Sequence, residues 1–368
     1  MSGPRRLALV LLAAAGAARA QTAPLADGLD AAVRAYHDAG QFEGVVLVAS
    51  AEGPVYTGAF GEADRAWGVP MTPDVRFPAA SVTKQVAAVL AHRLEMEGAL
   101  SLSAPVARYV PGLVAGGDSV LVRHLLNHTS GLPDLDARAA EAFGCPVAGP
   151  DPLADPVALV RAYGSGPLRS APGSAVAYTN TDYLVLQATM EAATGEPFEA
   201  LLRRHILDPL GMDDTGLIRE DAVVERLAVA YAGDGPAPCL ARWRYGAAGA
   251  LYATAADLAR FGLALMRGDL LPPERLVALW ASSPETGYVA QGAWAYEKAV
   301  GGRTVRVVER QGVFGPLAVL NVLLPESGRV VVVLKNAGAA NLGGLAYAPG
   351  LPDDLVRVLY GETPTGPQ

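Results

Sequence analysis

Phe77-Pro78-Ala79-Ala80-Ser81-Val82-Thr83-Lys84 runs straight into Gln85-Val86-Ala87-Ala88-Val89-Leu90-Ala91-His92-Arg93-Leu94-Glu95-Met96. The proline ahead of this run and the unbroken apolar spacing within it predict a helix from Ser81 to Met96. In such a helix Ser81 and Lys84 stand three residues apart and project from one face, so a hydroxyl and an amine come within reach. A serine hydroxyl is a poor nucleophile until a base takes its proton. A lysine can be that base when burial and neighbouring groups lower its pKa enough to leave it neutral. The helix N-terminus adds partial positive charge beside any developing oxyanion.

Two common residues at a fixed spacing are a weak signal alone. Composition sharpens it, because Lys84, Lys298 and Lys335 are the only lysines among 29 basic residues. Arginine does not deprotonate, so a chain that otherwise uses arginine keeps lysine where a proton must come and go. Downstream, Tyr178-Thr179-Asn180 follows Pro172-Gly173 and precedes a helical run from Tyr183, which places it in a loop entering a helix. A phenol held near a lysine can acquire a lowered pKa and relay protons. Asn180 offers both a donor and an acceptor, enough to hold Lys84 and a substrate amide together.

Around these motifs the chain divides. A helix is expected from Leu25 to Ala39, then a hairpin of Gly44 to Ala49 and Pro54 to Phe60 about the turn Ala51-Glu52-Gly53. From Ser81 to about Leu240 helical segments alternate with Pro/Gly loops. Ala255 to Met266 reads as a helix; Thr304 to Glu309, Leu317 to Leu324 and Arg329 to Leu334 read as strands, the last two joined at Pro325-Glu326-Ser327-Gly328. Asp353 to Tyr360 suits a closing helix. The expected organisation is one domain over 21–361, with its sheet part in 21–80 and 241–361, a helical subdomain in 81–240, and a loose tail over 362–368.

The first twenty residues read as a signal peptide: Arg5 and Arg6, an apolar stretch from Leu7 to Ala17, and Ala18-Arg19-Ala20 as the cleavage site. Mature protein then starts at Gln21 and is exported, to the periplasm or beyond, with no membrane segment after cleavage. Losing Arg5, Arg6 and Arg19 takes the formal charge from −8 to −11. That acidity argues against nucleic acid as a partner. Cys145 and Cys239 sit in loop-like surroundings and can either pair in an oxidising compartment or remain thiols. His124 and His128 lie four apart, but no glutamate stands where a metalloprotease needs one and Thr129-Ser130-Gly131 ends the helix. A structural role and no metal are therefore expected. No glycine-rich run has phosphate-loop or dinucleotide form, so no cofactor is expected.

Ser81-x-x-Lys84, then Tyr178-x-Asn180, then a glycine-containing strand segment resemble the three active-site motifs of class C β-lactamases and their relatives among DD-peptidases and esterases. The likeness continues through Phe42 to Ala49, Gly98 to Val106, His124 to Leu132, His205 to Thr215 and Gly249 to Phe261, in order over nearly the whole mature chain. It implies an α/β (α+β) fold of the β-lactamase/transpeptidase type, an antiparallel sheet flanked by helices plus a mainly helical subdomain, with the site in the cleft between. It also implies catalytic Ser81, Lys84 and Tyr178, substrate-binding Asn180, Arg310 and Gly312, and an oxyanion hole made by the backbone amides of Ser81 and Val313. The substrate would be a small molecule or peptide with an ester, amide or lactam carbonyl.

The third motif departs from the pattern: relatives carry Lys-Thr-Gly or His-x-Gly where this chain has Arg310-Gln311-Gly312. Arginine keeps an anion-binding role, since it can grip a carboxylate bidentately, but it cannot exchange protons. Glu309 beside it equally suits an Arg–Glu pair on an edge strand. A catalytically weak or inactive relative that binds peptidoglycan or a partner is the alternative function.

Overall fold

Runs of β-branched residues make the sheet, and their alternation assigns its two faces. The computed structural model describes residues 24–139, 155–219, 221–237, 242–339, 342 and 349–367. The expected signal peptide, Cys145 and Cys239 lie outside them. Strands β1 (Glu43–Ser50) and β2 (Gly53–Phe60) form the N-terminal hairpin. From the other end of the chain come β3 (Trp294–Val300), β4 (Arg303–Phe314), β5 (Leu317–Leu324) and β6 (Arg329–Ala337). All pairings are antiparallel in the order β3-β4-β5-β6-β1-β2, and the pairing of β1 with β6, from Gly44 opposite Lys335 to Ala49 opposite Val330, joins the two halves into one sheet.

Period-two alternation sends Val46, Val48, Val331 and Val333 to one face, where Leu29, Val33 and Tyr36 of α1 (24–38) and Leu355 and Leu359 of α5 (Leu351–Leu359) cover them. Val45, Leu47, Val330, Val332 and Leu334 fill the opposite face against α2 (Thr83–Met96) and α4 (Ala255–Arg267). Because both faces are covered, β1 is apolar almost throughout instead of alternating with polar residues. Helix α2 is buried from Thr83 to His92 and again at Leu94, as expected of a helix enclosed on all sides. Helix α3 (Asn180–Thr194) lies in the helical part, capped by Thr179 Oγ1 accepting from Thr181 N and closed by Gly195 at φ 75°.

Three features depart from the expectations. Strand β4 continues through Arg310-Gln311-Gly312 to Phe314, and β3 was not anticipated, because its alternation is interrupted by Glu297 and Lys298 and becomes a strand only through pairing with β4. The region 81–240 also contains short strands, such as Gly216–Leu217 and Tyr231–Ala232. The tail is not loose as far as 367: buried Asp354 accepts from Thr365 N at 2.6 Å and Gly366 N at 2.9 Å, and Tyr36 Oη donates to Gly366 O at 3.1 Å. Among the described residues no helix is long and apolar enough to cross a membrane.

Candidate active site

The turn that carries Ser81 is fixed from both sides. Phe77–Pro78 pairs with Leu251–Ala253, and Ala79 N donates to Leu251 O at 2.7 Å. Ala80 then turns the chain at φ 47°, a left-handed conformation that costs a residue with a Cβ free energy and persists only where surrounding contacts enforce it. Thr83 supplies such contacts, its Oγ1 donating to Ala80 O at 2.6 Å and accepting from Leu251 N at 3.1 Å. From the sheet, Gly312 presses against the same turn: a Cβ there would stand 2.2 Å from Ala79 O and 2.8 Å from Ser81 N. Only glycine lets β4 approach this closely. The approach sets Val313 and Ser81 on the walls of one cleft of about 330 Å³, lined also by Tyr178, Asn180, Trp294, Arg310 and Gln311.

Ser81 Oγ lies 2.8 Å from Tyr178 Oη and accepts from Lys84 Nζ at 3.1 Å. Lys84, fully buried on the first turn of α2, also donates to Asn180 Oδ1 at 2.6 Å and to Ala248 O at 2.6 Å. All three ammonium hydrogens therefore have acceptors. The amide of Asn180 donates to Asp136 Oδ2 at 2.7 Å. Asn180 thus holds Lys84 through its oxygen and Asp136 through one N–H, and since the amide carries two N–H donors and lines the cleft, a second remains for a substrate amide.

Arg310 lines the cleft but is almost wholly buried there. Period two on β4 turns Glu309 to the α1 face, where it accepts from Tyr296 Oη at 2.9 Å, and turns Arg310 to the site face, 2% exposed. There Nε donates to Ser81 O at 2.9 Å and an Nη donates to Tyr178 Oη at 3.0 Å. The guanidinium lies 4.7 Å from the Trp294 ring and 5.2 Å from the Tyr178 ring. The surface Arg–Glu pair does not form, and Arg310 braces the nucleophile turn and the phenol. Gly312 does not line the cleft; its part is the close approach.

These contacts set the proton affinities. Burial pulls the Lys84 ammonium down to about 8, with Arg310 adding to the drop and the Tyr178 phenolate opposing it. Burial alone would raise the Tyr178 phenol, but the Lys84 and Arg310 cations and the bonds from Lys84 and Ser81 outweigh it and bring it down to about 8. Tyr178 is 44% exposed, while its oxygen bonds Ser81, Lys84 and Arg310. An amine and a phenol that titrate together behave as one proton-sharing pair. Such a pair can take the proton of Ser81 near neutral pH and return it to a leaving group.

His128, expected to be structural, lies beneath the site. At φ 58° it directs its ring to 4.5 Å from the Tyr178 ring, with Nδ1 2.9 Å from Asp182 Oδ2, while Ser130 Oγ donates to the other carboxylate oxygen. Burial, then Arg310 and Lys84, holds His128 well below its usual range, and burial raises Asp182 well above its own. His124 does not converge with it but accepts from Leu121 N at 3.2 Å. Asp136, Trp294 and the Ala248 carbonyl also belong to the site without having been singled out. Trp294 and Ala248 carry no motif, and Asp136 is one of several acids in a loop, so no sequence signal separated them.

A model of the Beta-lactamase family matches residues 29–345. The chain is 37% identical over 209 residues to Esterase EstB of Burkholderia gladioli, covering 53% of this chain and 52% of that protein. The match therefore spans about half the length of that relative. It is 27% identical over 343 residues to Penicillin-binding protein 4 of Amycolatopsis lactamdurans, covering 87% of this chain and 85% of the relative. Among solved structures, D-amino acid amidase from Ochrobactrum anthropi SV3, complexed with L-phenylalanine amide, superposes with a TM-score of 0.74 at 26% identity, covering 92% of this chain and 98% of that one.

Proposed function

The chain belongs to the Beta-lactamase family, and on that premise we propose that it is a serine hydrolase working through an acyl-enzyme on an ester, a D-amino-acid peptide or amide, or a β-lactam. The observation that carries this reading is Ser81 Oγ within hydrogen-bond distance of both Tyr178 Oη, at 2.8 Å, and Lys84 Nζ, at 3.1 Å. The Tyr178–Lys84 pair takes the Ser81 proton as Oγ bonds to the substrate carbonyl carbon. The resulting oxyanion lies toward the amides of Ser81 and Val313. Collapse breaks the bond to the leaving group, which receives the proton from the same pair, and water then enters by the reverse sequence. Arg310 stabilises the phenolate in this cycle without exchanging protons.

The relatives support ester and amide chemistry together, through EstB and the D-amino acid amidase. The same reading takes the protein to be exported, on the charge and apolar pattern of its first twenty residues. The test is mass spectrometry after exposure to a fluorophosphonate and to penicillin. An adduct is expected on the peptide bearing Ser81 and is expected to vanish in Ser81→Ala. No adduct with either probe, together with no turnover of nitrophenyl esters, would replace the hydrolase with a binding protein for peptidoglycan or a partner.

A further inference from the structure

Resting on the hydrolase reading, we propose that the substrate group lying along β4 is uncharged, and that Trp294 sets this preference by capping Arg310. Arg310 is the only charged side chain among the described residues that line the cleft. It is 2% exposed, with the Trp294 ring at 4.7 Å and the Tyr178 ring at 5.2 Å. Two of its five N–H donors are committed inward, Nε to Ser81 O at 2.9 Å and an Nη to Tyr178 Oη at 3.0 Å. Its counter-charge is also built in, since the phenol oxygen it touches carries the negative charge when the pair with Lys84 is zwitterionic.

A substrate carboxylate entering here would lose its water, meet an aromatic face instead of a fork, and approach a phenolate. The second cation, Lys84, is fully buried and committed to Ser81, Asn180 and Ala248. What the wall offers besides is uncharged: the Trp294 ring, Gln311 and the side chain of Val313, 53% exposed. Removing the indole should expose the guanidinium to the cleft while leaving its bonds to Ser81 and Tyr178 in place.

The experiment compares kcat/KM for 4-nitrophenyl butyrate and for the 4-nitrophenyl monoester of glutaric acid, which adds a carboxylate at the end of the acyl chain. The parent protein is expected to favour the neutral ester by about tenfold or more, the scale of one lost polar interaction. Trp294→Ala should narrow or invert that ratio, and Trp294→Phe, which keeps an aromatic cap, should retain it; thermal unfolding of each variant checks that it folds. Equal or better turnover of the charged ester by the parent overturns the proposal, as does an unchanged ratio in folded Trp294→Ala. Calorimetric titration of Ser81→Ala with both esters reads the same preference in binding alone. Should the parent turn over neither ester, the hydrolase reading falls, and the binding comparison still decides whether Trp294 excludes the carboxylate.

Discussion

The wall of the cleft built by α2 and α3 holds groups that exchange protons, whereas the wall built by β4 holds a charge that does not. On the first, burial brings Lys84 down to about 8 against the opposing Tyr178, the Lys84 and Arg310 cations bring Tyr178 down to about 8 against its burial, and side chains such as Asn180 and Asp136 position the amine. On the second, Gly312 provides backbone proximity and Arg310 a permanent cation. The contrast assigns different consequences to damage. Loss on the helical wall removes the proton acceptor, while loss on the strand wall misplaces the nucleophile or moves the pH at which the acceptor is ready.

The largest effect is expected for Lys84→Arg, which keeps the charge but removes any accessible neutral form. kcat/KM for a nitrophenyl ester should fall by on the order of 10³-fold or more, with a thermal unfolding midpoint near the parent's showing that the fold survives. Hydrolysis at the parental rate would remove Lys84 from the role of base and break the distinction between the walls. Next comes Gly312→Ala. Its Cβ would overlap Ala79 O, 2.2 Å away, so either β4 or the Ser81 turn must shift. A loss of about 10²-fold in kcat/KM is expected, since displacement of about 1 Å costs that much, with destabilisation of about 1–3 kcal/mol. Full activity and stability in this variant would show that the close approach does not locate Ser81.

The two walls also differed in how far they could be read from the chain. Ser81-x-x-Lys84 and Tyr178-x-Asn180 are local patterns, each placed by a helix start, and their convergence was legible only through the resemblance to class C β-lactamases and their relatives. Lysine scarcity was a poorer guide than spacing. Lys298 pairs with Asp353 at 2.8 Å, and Lys335 is also buried and brought down to about 8, donating to Gly338 O at 2.9 Å. Rarity marks all three lysines alike, and only proximity to Ser81 distinguishes Lys84. On the strand wall the sequence showed an arginine and a glycine but not their surroundings. Trp294 reaches Arg310 only because β3 pairs with β4, and His128 reaches Tyr178 only because its backbone adopts φ 58°. Such placements depend on tertiary packing, which no local pattern encodes. The tail was misread for the same reason, since Asp354 holds it through a buried carboxylate on α5.

The smallest expected effect is on pH dependence, and it tests the strand wall most directly. The Arg310 cation lowers the proton affinity of both Tyr178 and Lys84, by favouring the phenolate and disfavouring the ammonium. If activity requires the pair to accept a proton, kcat/KM rises with pH through a limb near 8 in the parent. In Arg310→Gln both groups hold their protons more tightly, so the limb moves to higher pH. A displacement of about one unit would lower kcat/KM about tenfold at pH values below the limb. Arg310→Lys, which restores a cation without the bidentate brace, should return the limb most of the way toward the parent. A limb that stays in place in Arg310→Gln would mean that the cation braces the turn without poising the phenol, and the division between a proton-exchanging wall and a fixed-charge wall would have to be redrawn.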